Sequence, residues 1–270
     1  VTVVFINACL LGIIQGVTEF LPISSDGHLV IAQGYLPGFD QNPLTFDVML
    51  HFGTLVAVLL YFRRDVVALL ASAFGYESRA SAIPARRWLV LIAIATFPTA
   101  VIGLMLEKSA ESLFSSPTFA ASALIVNGML LLLTGLAPKS ERGAGDLNIR
   151  DALLIGIMQG LAVLPGISRS SNTIATAMFL GVRGDIAAQF SFLLSLPAVA
   201  GAVLLKLRDL QGASGGELIP FGIGAATALV SGLWAITFLL RVIMKDRLRY
   251  FGYYCLFFGV MVLAIRLWEN

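Results

Sequence analysis

The chain is poor in charge. Only 13% of its 270 residues are Asp, Glu, Lys or Arg, against about a quarter in an ordinary soluble domain. That scarcity excludes a water-solvated surface over most of the chain. With 58% hydrophobic residues, lipid is the main solvent. The net charge of +2, with Lys and Arg scattered between apolar stretches, excludes a nucleic-acid-binding patch. Cysteine is scarce too: Cys9 and Cys255 lie far apart in apolar sequence. They read as two buried thiols, which excludes a disulfide framework and a cysteine-based metal site. No basic residue precedes the first apolar stretch and no small-residue cleavage pattern follows it before Pro22. The stretch therefore does not read as a signal peptide, and the mature chain is expected to begin near here.

What is abundant is apolar sequence in long runs. Stretches near 45–63, 87–106, 118–136, 187–205, 218–240 and 250–268 each have the roughly 17–25 residues needed to cross a bilayer. They predict an all-α integral membrane protein with six transmembrane helices in a single membrane domain, 1–270. The chain also repeats itself at an offset of 144 residues: Gly12-Ile13-x-Gln15-Gly16 returns as Gly156-Ile157-x-Gln159-Gly160. Phe46, Leu50, Leu60, Arg64 and Asp65 return as Phe190, Leu194, Leu204, Arg208 and Asp209. The expected repeats are 1–140 and 141–270.

Each repeat opens with an interrupted segment. The run Val3–Phe20 breaks at Leu21-Pro22-Ile23-Ser24-Ser25-Asp26-Gly27-His28 and resumes through Ile31; the run Ala152–Leu164 breaks at Pro165-Gly166-Ile167-Ser168-Arg169 and resumes through Leu180. Irregular backbone at membrane depth persists only where protein or a wet cavity satisfies it. Two re-entrant helical hairpins are therefore expected. A hairpin adds no crossing, so each repeat crosses three times and the second is inverted relative to the first. Basic residues agree. Assigning 63–87, 137–151, 181–186 and 241–249 to the cytoplasm places there Arg63, Arg64, Arg79, Arg86, Arg87, Lys139, Arg142, Arg150, Arg183, Arg241, Lys245, Arg247 and Arg249, leaving Lys108, Lys206, Arg208 and Arg266 outside. The two hairpin tips are then expected to meet near the midplane, as in other inverted-repeat membrane proteins.

The polar residues of those tips are the candidate site, since ionisable groups within a bilayer are costly and usually functional. The first tip carries Gln15, Glu19, Ser24, Ser25, Asp26 and His28, with Gln15 and Glu19 on one helix face. Asp26, beside Gly27, could equally shape the turn. The second tip carries Ser168, Arg169, Ser170, Asn172 and Thr173. Hydroxyls, amides at a helix start and one guanidinium make an anion cradle. A structural ion pair between Arg169 and Glu19 is the plainer alternative for that arginine, and it is compatible with catalysis. Together these groups suffice to cleave a phosphomonoester or phosphoanhydride by attack of serine or water.

The chain resembles the bacterial undecaprenyl-diphosphate phosphatases, the bacitracin-resistance membrane proteins, over almost its whole length. The resemblance rests on Gln15-Gly-Val-Thr-Glu19-Phe-Leu-Pro-Ile-Ser24-Ser25-Asp-Gly27-His28 and on Pro165-Gly166-Ile-Ser168-Arg169-Ser170-Ser-Asn-Thr173. It implies hydrolysis of a polyprenyl diphosphate lipid in the bacterial inner membrane at a site open to the periplasm, with a homodimer also possible for such a protein. It implies importance for Glu19, Ser25, His28 and Arg169. The chemistry of these groups suggests Ser25 as nucleophile or positioner of water, His28 as general acid and base, Arg169 as phosphoryl clamp, and Glu19 either orienting His28 or binding a metal. Gln15, Ser24, Asp26, Ser168, Ser170, Asn172 and Thr173 would line the substrate. Asp47 and His51, in the similar stretch Phe46-Asp47-x-x-x-His51-x-Gly53-Thr54, read as packing or supporting groups. Two positions depart from the family pattern, Asp26 in place of Thr and Ser171 in place of Gly. The added carboxylate would repel a dianion unless Arg169 or a divalent cation, Mg or Ca, compensates. A transporter or flippase of the carrier lipid is the competing expectation, because inverted repeats with broken segments are also a transporter plan.

Overall fold

In an apolar solvent each backbone N–H and C=O must find its partner within the chain, and this chain does so with helix. A computed structural model describes residues 2–36, 43–76, 82–113, 116–138, 141–206 and 215–269. Among them are eleven α-helices and no strand: α1 (Thr2–Phe20), α2 (Ser25–Tyr35), α3 (Pro43–Tyr61), α4 (Arg63–Ala73), α5 (Ala85–Leu113), α6 (Pro117–Leu133), α7 (Ile149–Leu161), α8 (Arg169–Phe179), α9 (Gly184–Lys206), α10 (Gly215–Ile243) and α11 (Arg249–Glu269). Six segments are long and apolar enough to cross a membrane: Val3–Phe20, Ala85–Leu106, Pro117–Leu136, Gly184–Leu204, Leu218–Ile243 and Arg249–Trp268. Five coincide with predicted spans. The sixth differs. The predicted span 45–63 corresponds to α3, whose described apolar part, Phe46–Tyr61, is shorter, whereas α1 is long enough in its own right. The surface is inverted relative to a soluble protein. Phe97, Leu104, Val230 and Phe257 stand exposed while Gln15, Glu19 and Gln159 are buried, as expected when lipid is outside. Cys255 is buried as predicted, but Cys9 is only half-buried.

Both expected interruptions are present, and serines set them. Ser24, at φ 69°, caps α2 by accepting from the Gly27 amide, and Ser168 caps α8 by accepting from the Ser171 amide at 3.2 Å. Gly166 is at φ +90°, and a Cβ there would collide with the Ala120 carbonyl and lie 2.6 Å from the Ala123 methyl; only glycine fits. Asn127 of α6 joins the two breaks. It donates to the Pro22 carbonyl at 3.0 Å, and its own oxygen accepts from the Ser168 amide at 3.3 Å and from the Ser171 hydroxyl. Ser171, one of the two departures noted above, thus has a structural partner.

The repeated residues occupy reciprocal places. Gly12 and Gly16 let α1 lie against α10 at Gly224 and Ala228, while Gly156 and Gly160 let α7 lie against α5 at Ala95 and Pro98. Phe46 and Phe190, and Leu50 and Leu194, are all fully buried. Arg208 and Asp209 lie outside the described residues, as do Arg79 and Lys139. At one end of the bundle Asp65 accepts from Gln189 at 2.9 Å, Trp88 donates to the Ala144 carbonyl at 2.8 Å, and Arg142 pairs with Val182. The segments bearing Arg63, Arg64, Arg86, Arg87, Arg142 and Arg183 are thereby gathered at the same end.

Candidate active site

The two interruptions bring together a cluster that neither helix could assemble alone. Glu19, in the last turn of α1, is buried, and each of its oxygens is engaged. Oε1 pairs with the Arg169 guanidinium from the start of α8; Oε2 accepts from Ser25 Oγ at 2.5 Å and from Gln15 Nε2 at 3.1 Å. The Glu19–Arg169 pair considered from sequence is therefore formed, and it crosses between the two interrupted segments. His51, from α3, completes the group: its Nδ1 lies 2.9 Å from Gln15 Nε2 and 3.7 Å from Glu19 Oε2, and its Nε2 lies 3.3 Å from Asp26 Oδ1. One turn earlier, Asp47 accepts from Gln33 at 2.6 Å.

These groups face a cavity of about 270 Å³. Glu19, Ser24, Ser25, Asp26, Asp47, His51, Ser168 and Arg169 supply its polar wall, and Val48, Ile167, Ala198, Val199, Ala202 and Val203 much of its apolar wall. Such a chamber suits a ligand that is polar at one end and hydrocarbon at the other.

Of the four residues expected to be catalytic, Glu19, Ser25 and Arg169 converge and His28 does not. His28 Nδ1 is bonded to the Ser24 carbonyl at 2.7 Å and Nε2 to the Tyr254 hydroxyl at 2.8 Å, and the ring stacks on Phe258 with centroids 4.8 Å apart. The reason is helical geometry: Ser25 and His28 are three residues apart on α2, but α11 packs beside His28 and captures its ring. The expected orientation of His28 by Glu19 is not made; Glu19 orients Ser25 instead. His28→Ala is expected to remove two hydrogen bonds and a stack, lowering stability by about 2–3 kcal/mol. Thermal unfolding in detergent, measured beside turnover, checks this: His28→Ala should lower melting temperature and activity together.

The expected anion cradle is also narrower than its motif. Ser170 bonds to Ser168 Oγ at 3.0 Å, Asn172 donates to the Ser168 carbonyl at 2.9 Å, and Thr173 Oγ1 meets Ser191 Oγ at 2.5 Å. These three close the first turn of α8 and fasten it to α9 instead of lining the cavity, because the cap at Ser168 turns them inward. Gln15 is likewise an internal support, whereas Ser24, Asp26 and Ser168 do line the cavity. Sequence reasoning passed over Asn127, Thr99 and Gln159. The last two line the cavity wall, and Gln159 donates to Thr99 at 3.3 Å. Asn127 had a legible signal, as a lone amide in the apolar run of α6.

Among the described residues no group of three or more His, Cys, Asp or Glu side chains is arranged to hold a metal ion. The nearest set, Glu19, Asp26 and His51, directs its donor atoms at one another, at Ser25 and at Arg169.

The chain matches the family described as Bacitracin resistance protein BacA over residues 8–261. It is 44% identical over 261 residues to an undecaprenyl-diphosphatase of Syntrophotalea carbinolica, covering 97% of this chain and 98% of the relative. It is 44% identical over 266 residues to an undecaprenyl-diphosphatase of Geobacter sulfurreducens, covering 96% and 97%. A third, from Carboxydothermus hydrogenoformans, is 38% identical over 264 residues, covering 96% and 97%. With matches along nearly all its length and its long apolar helices, this chain is a multi-pass membrane protein that belongs to the bacitracin resistance protein BacA family.

Proposed function

We propose that the chain hydrolyses undecaprenyl diphosphate to the monophosphate and inorganic phosphate, recycling the carrier lipid for cell-wall synthesis and conferring resistance to bacitracin. The observation that carries this reading is the 2.5 Å hydrogen bond from Ser25 Oγ to a Glu19 carboxylate that Arg169 holds from the other side. A hydroxyl bonded to a carboxylate is an activated nucleophile. Ser25 Oγ attacks the terminal phosphorus as its proton passes to Glu19 Oε2, and the bond to the bridging oxygen breaks with its electron pair leaving on undecaprenyl monophosphate. Once Glu19 has released that proton to solvent it takes one from water, the hydroxide displaces Ser25 from phosphorus, and Glu19 returns the proton to Oγ. Arg169 and the amides at the start of α8 offset the charge on the transferring phosphoryl group. The prenyl chain lies along the apolar wall contributed by α9. Ser24, Asp26 and Ser168 border the diphosphate, and a Mg or Ca ion would serve there as its counter-ion.

In the same reading the two repeats lie inverted in the inner membrane, their re-entrant hairpins α1–α2 and α7–α8 meeting at mid-depth, with the site opening to the periplasm. The gathering of arginines at one end of the bundle and the reciprocal packing of α1 on α10 and α7 on α5 support this arrangement. Carrier-lipid transport would use the same cradle without breaking a bond. The test is purified protein in detergent with undecaprenyl diphosphate. One phosphate released per monophosphate formed is expected, and no phosphate release would leave only transport.

A further inference from the structure

The polar atoms around Glu19 determine the hydrogen positions on His51. A carboxylate only accepts, so the Gln15 atom facing Glu19 Oε2 is its amide nitrogen. That nitrogen carries two hydrogens; one points to Glu19 and the other, at 2.9 Å, to His51 Nδ1. On this assignment Nδ1 accepts and the ring proton is placed on Nε2, which faces Asp26 Oδ1 at 3.3 Å. His51 therefore presents a basic nitrogen to the side of the site where Glu19 sits, 3.7 Å from Oε2, and an N–H to a carboxylate on the cavity wall. Both His51 and Asp26 are part-exposed to that cavity, at 25% and 23% of their side chains, whereas Glu19 is enclosed at 5%.

Glu19 has a difficulty that this arrangement resolves. After Ser25 attacks, Glu19 holds a proton, yet the water that must next cleave the phosphoserine needs Glu19 ionised. We propose that His51 and Asp26 form the proton exit of the site, carrying away through the cavity the proton that Glu19 takes from Ser25. The proposal rests on the reading of Ser25 as nucleophile and goes beyond it. Protonation converts Glu19 from acceptor to donor, and Nδ1 is positioned to receive. The proton passes from Oε2 to Nδ1 as Nε2–H is given to Asp26, from Asp26 it leaves to water or to the departing phosphate, and His51 regains its Nε2–H tautomer by exchange through the cavity before the next turnover. Hydrolysis of the anhydride leaves this proton over, so the balance closes. Among the described residues the charged groups around His51 are Glu19 from α1, Asp26 from α2, Asp47 from its own helix and Arg169 from α8; the described residues that α9 brings to the cavity are apolar, and α10 meets α3 through Gly53 against Ala225. Asp26 thus gains a positive assignment.

The experiment follows both products after rapid mixing of undecaprenyl diphosphate with the wild-type chain, His51→Gln and Asp26→Asn, each with and without added imidazole. In His51→Gln, one equivalent of undecaprenyl monophosphate per chain is expected at the wild-type rate. Phosphate release should then be about 100-fold slower, in the range of a lost proton-transfer group. Imidazole should restore much of it in proportion to its concentration, a response that a purely structural histidine would not show. At saturating substrate Asp26→Asn, although this residue borders the diphosphate, should still form its first product faster than it releases phosphate, which keeps the test decisive if His51→Gln folds poorly. Wild-type steady-state rates in both variants would overturn the proton route, as would loss of the first product together with the second and no response to imidazole. A wild-type chain that releases no phosphate would instead overturn the hydrolysis reading itself, and the route with it.

Discussion

The double variant Glu19→Gln/Arg169→Gln is expected to unfold close to the wild-type temperature and to release no phosphate. The two side chains form an ion pair across the interrupted segments, with Glu19 5% and Arg169 22% exposed. Removing one partner strands the other charge in a low-dielectric interior, a cost of about 3–5 kcal/mol, whereas replacing both by neutral groups of similar shape is close to neutral. Arg169→Gln alone should therefore lose stability as well as turnover, and the second substitution should recover the stability only. On activity the losses compound. Removing a charge clamp on a transferring phosphoryl group costs roughly 10³-fold or more, and removing a general base roughly 10²–10⁴-fold. Thermal unfolding and phosphate release, measured on the two single variants and the double, separate the roles. Turnover surviving in the double variant would sink the assignment of this pair to chemistry.

Ser25→Ala is expected to leave the fold intact and reduce turnover by about 10⁴-fold or more, as for other nucleophile deletions. The cap of α2 belongs to Ser24 and not to Ser25, so the only side-chain bond lost is the one to Glu19, at about 1 kcal/mol. Acid-quenching the wild-type enzyme during turnover should trap phosphate on the peptide containing Ser25, and mass spectrometry should find none in the variant. If Ser25→Ala kept turnover within about tenfold of wild type, water would be the attacking group and Ser25 its holder.

Residues that recur at a fixed interval made part of this site legible. At the offset of 144 residues, Ser24 corresponds to Ser168 and Ser25 to Arg169. Both serines turn out to be helix caps, and the next residue in each copy enters the cavity: the proposed nucleophile in one, the clamp in the other. Glu19 corresponds to Val163 and Asp26 to Ser170, so the carboxylates come from the first copy alone. A motif reveals which residue types are available at an interruption, because a polar run in apolar sequence stands out. Which of them face the cavity depends on neighbours from distant sequence. His28 is held away from Glu19 because Tyr254 and Phe258 arrive from α11, and His51 joins the cluster because Gln15 and Asp26 reach it from α1 and α2.

Composition and hydrophobic period by themselves determined that the chain is helical, that lipid surrounds it, and where two helices must break, since those properties depend on the solvent and on local backbone chemistry. Only the tertiary structure decided that Glu19 serves Ser25 and not His28, that Asn127 fastens the two breaks together, and that Ser170, Asn172 and Thr173 turn inward. The physical reason is that a buried polar atom takes its partner from whatever the packed helices bring within about 3 Å, and no sequence interval encodes that distance.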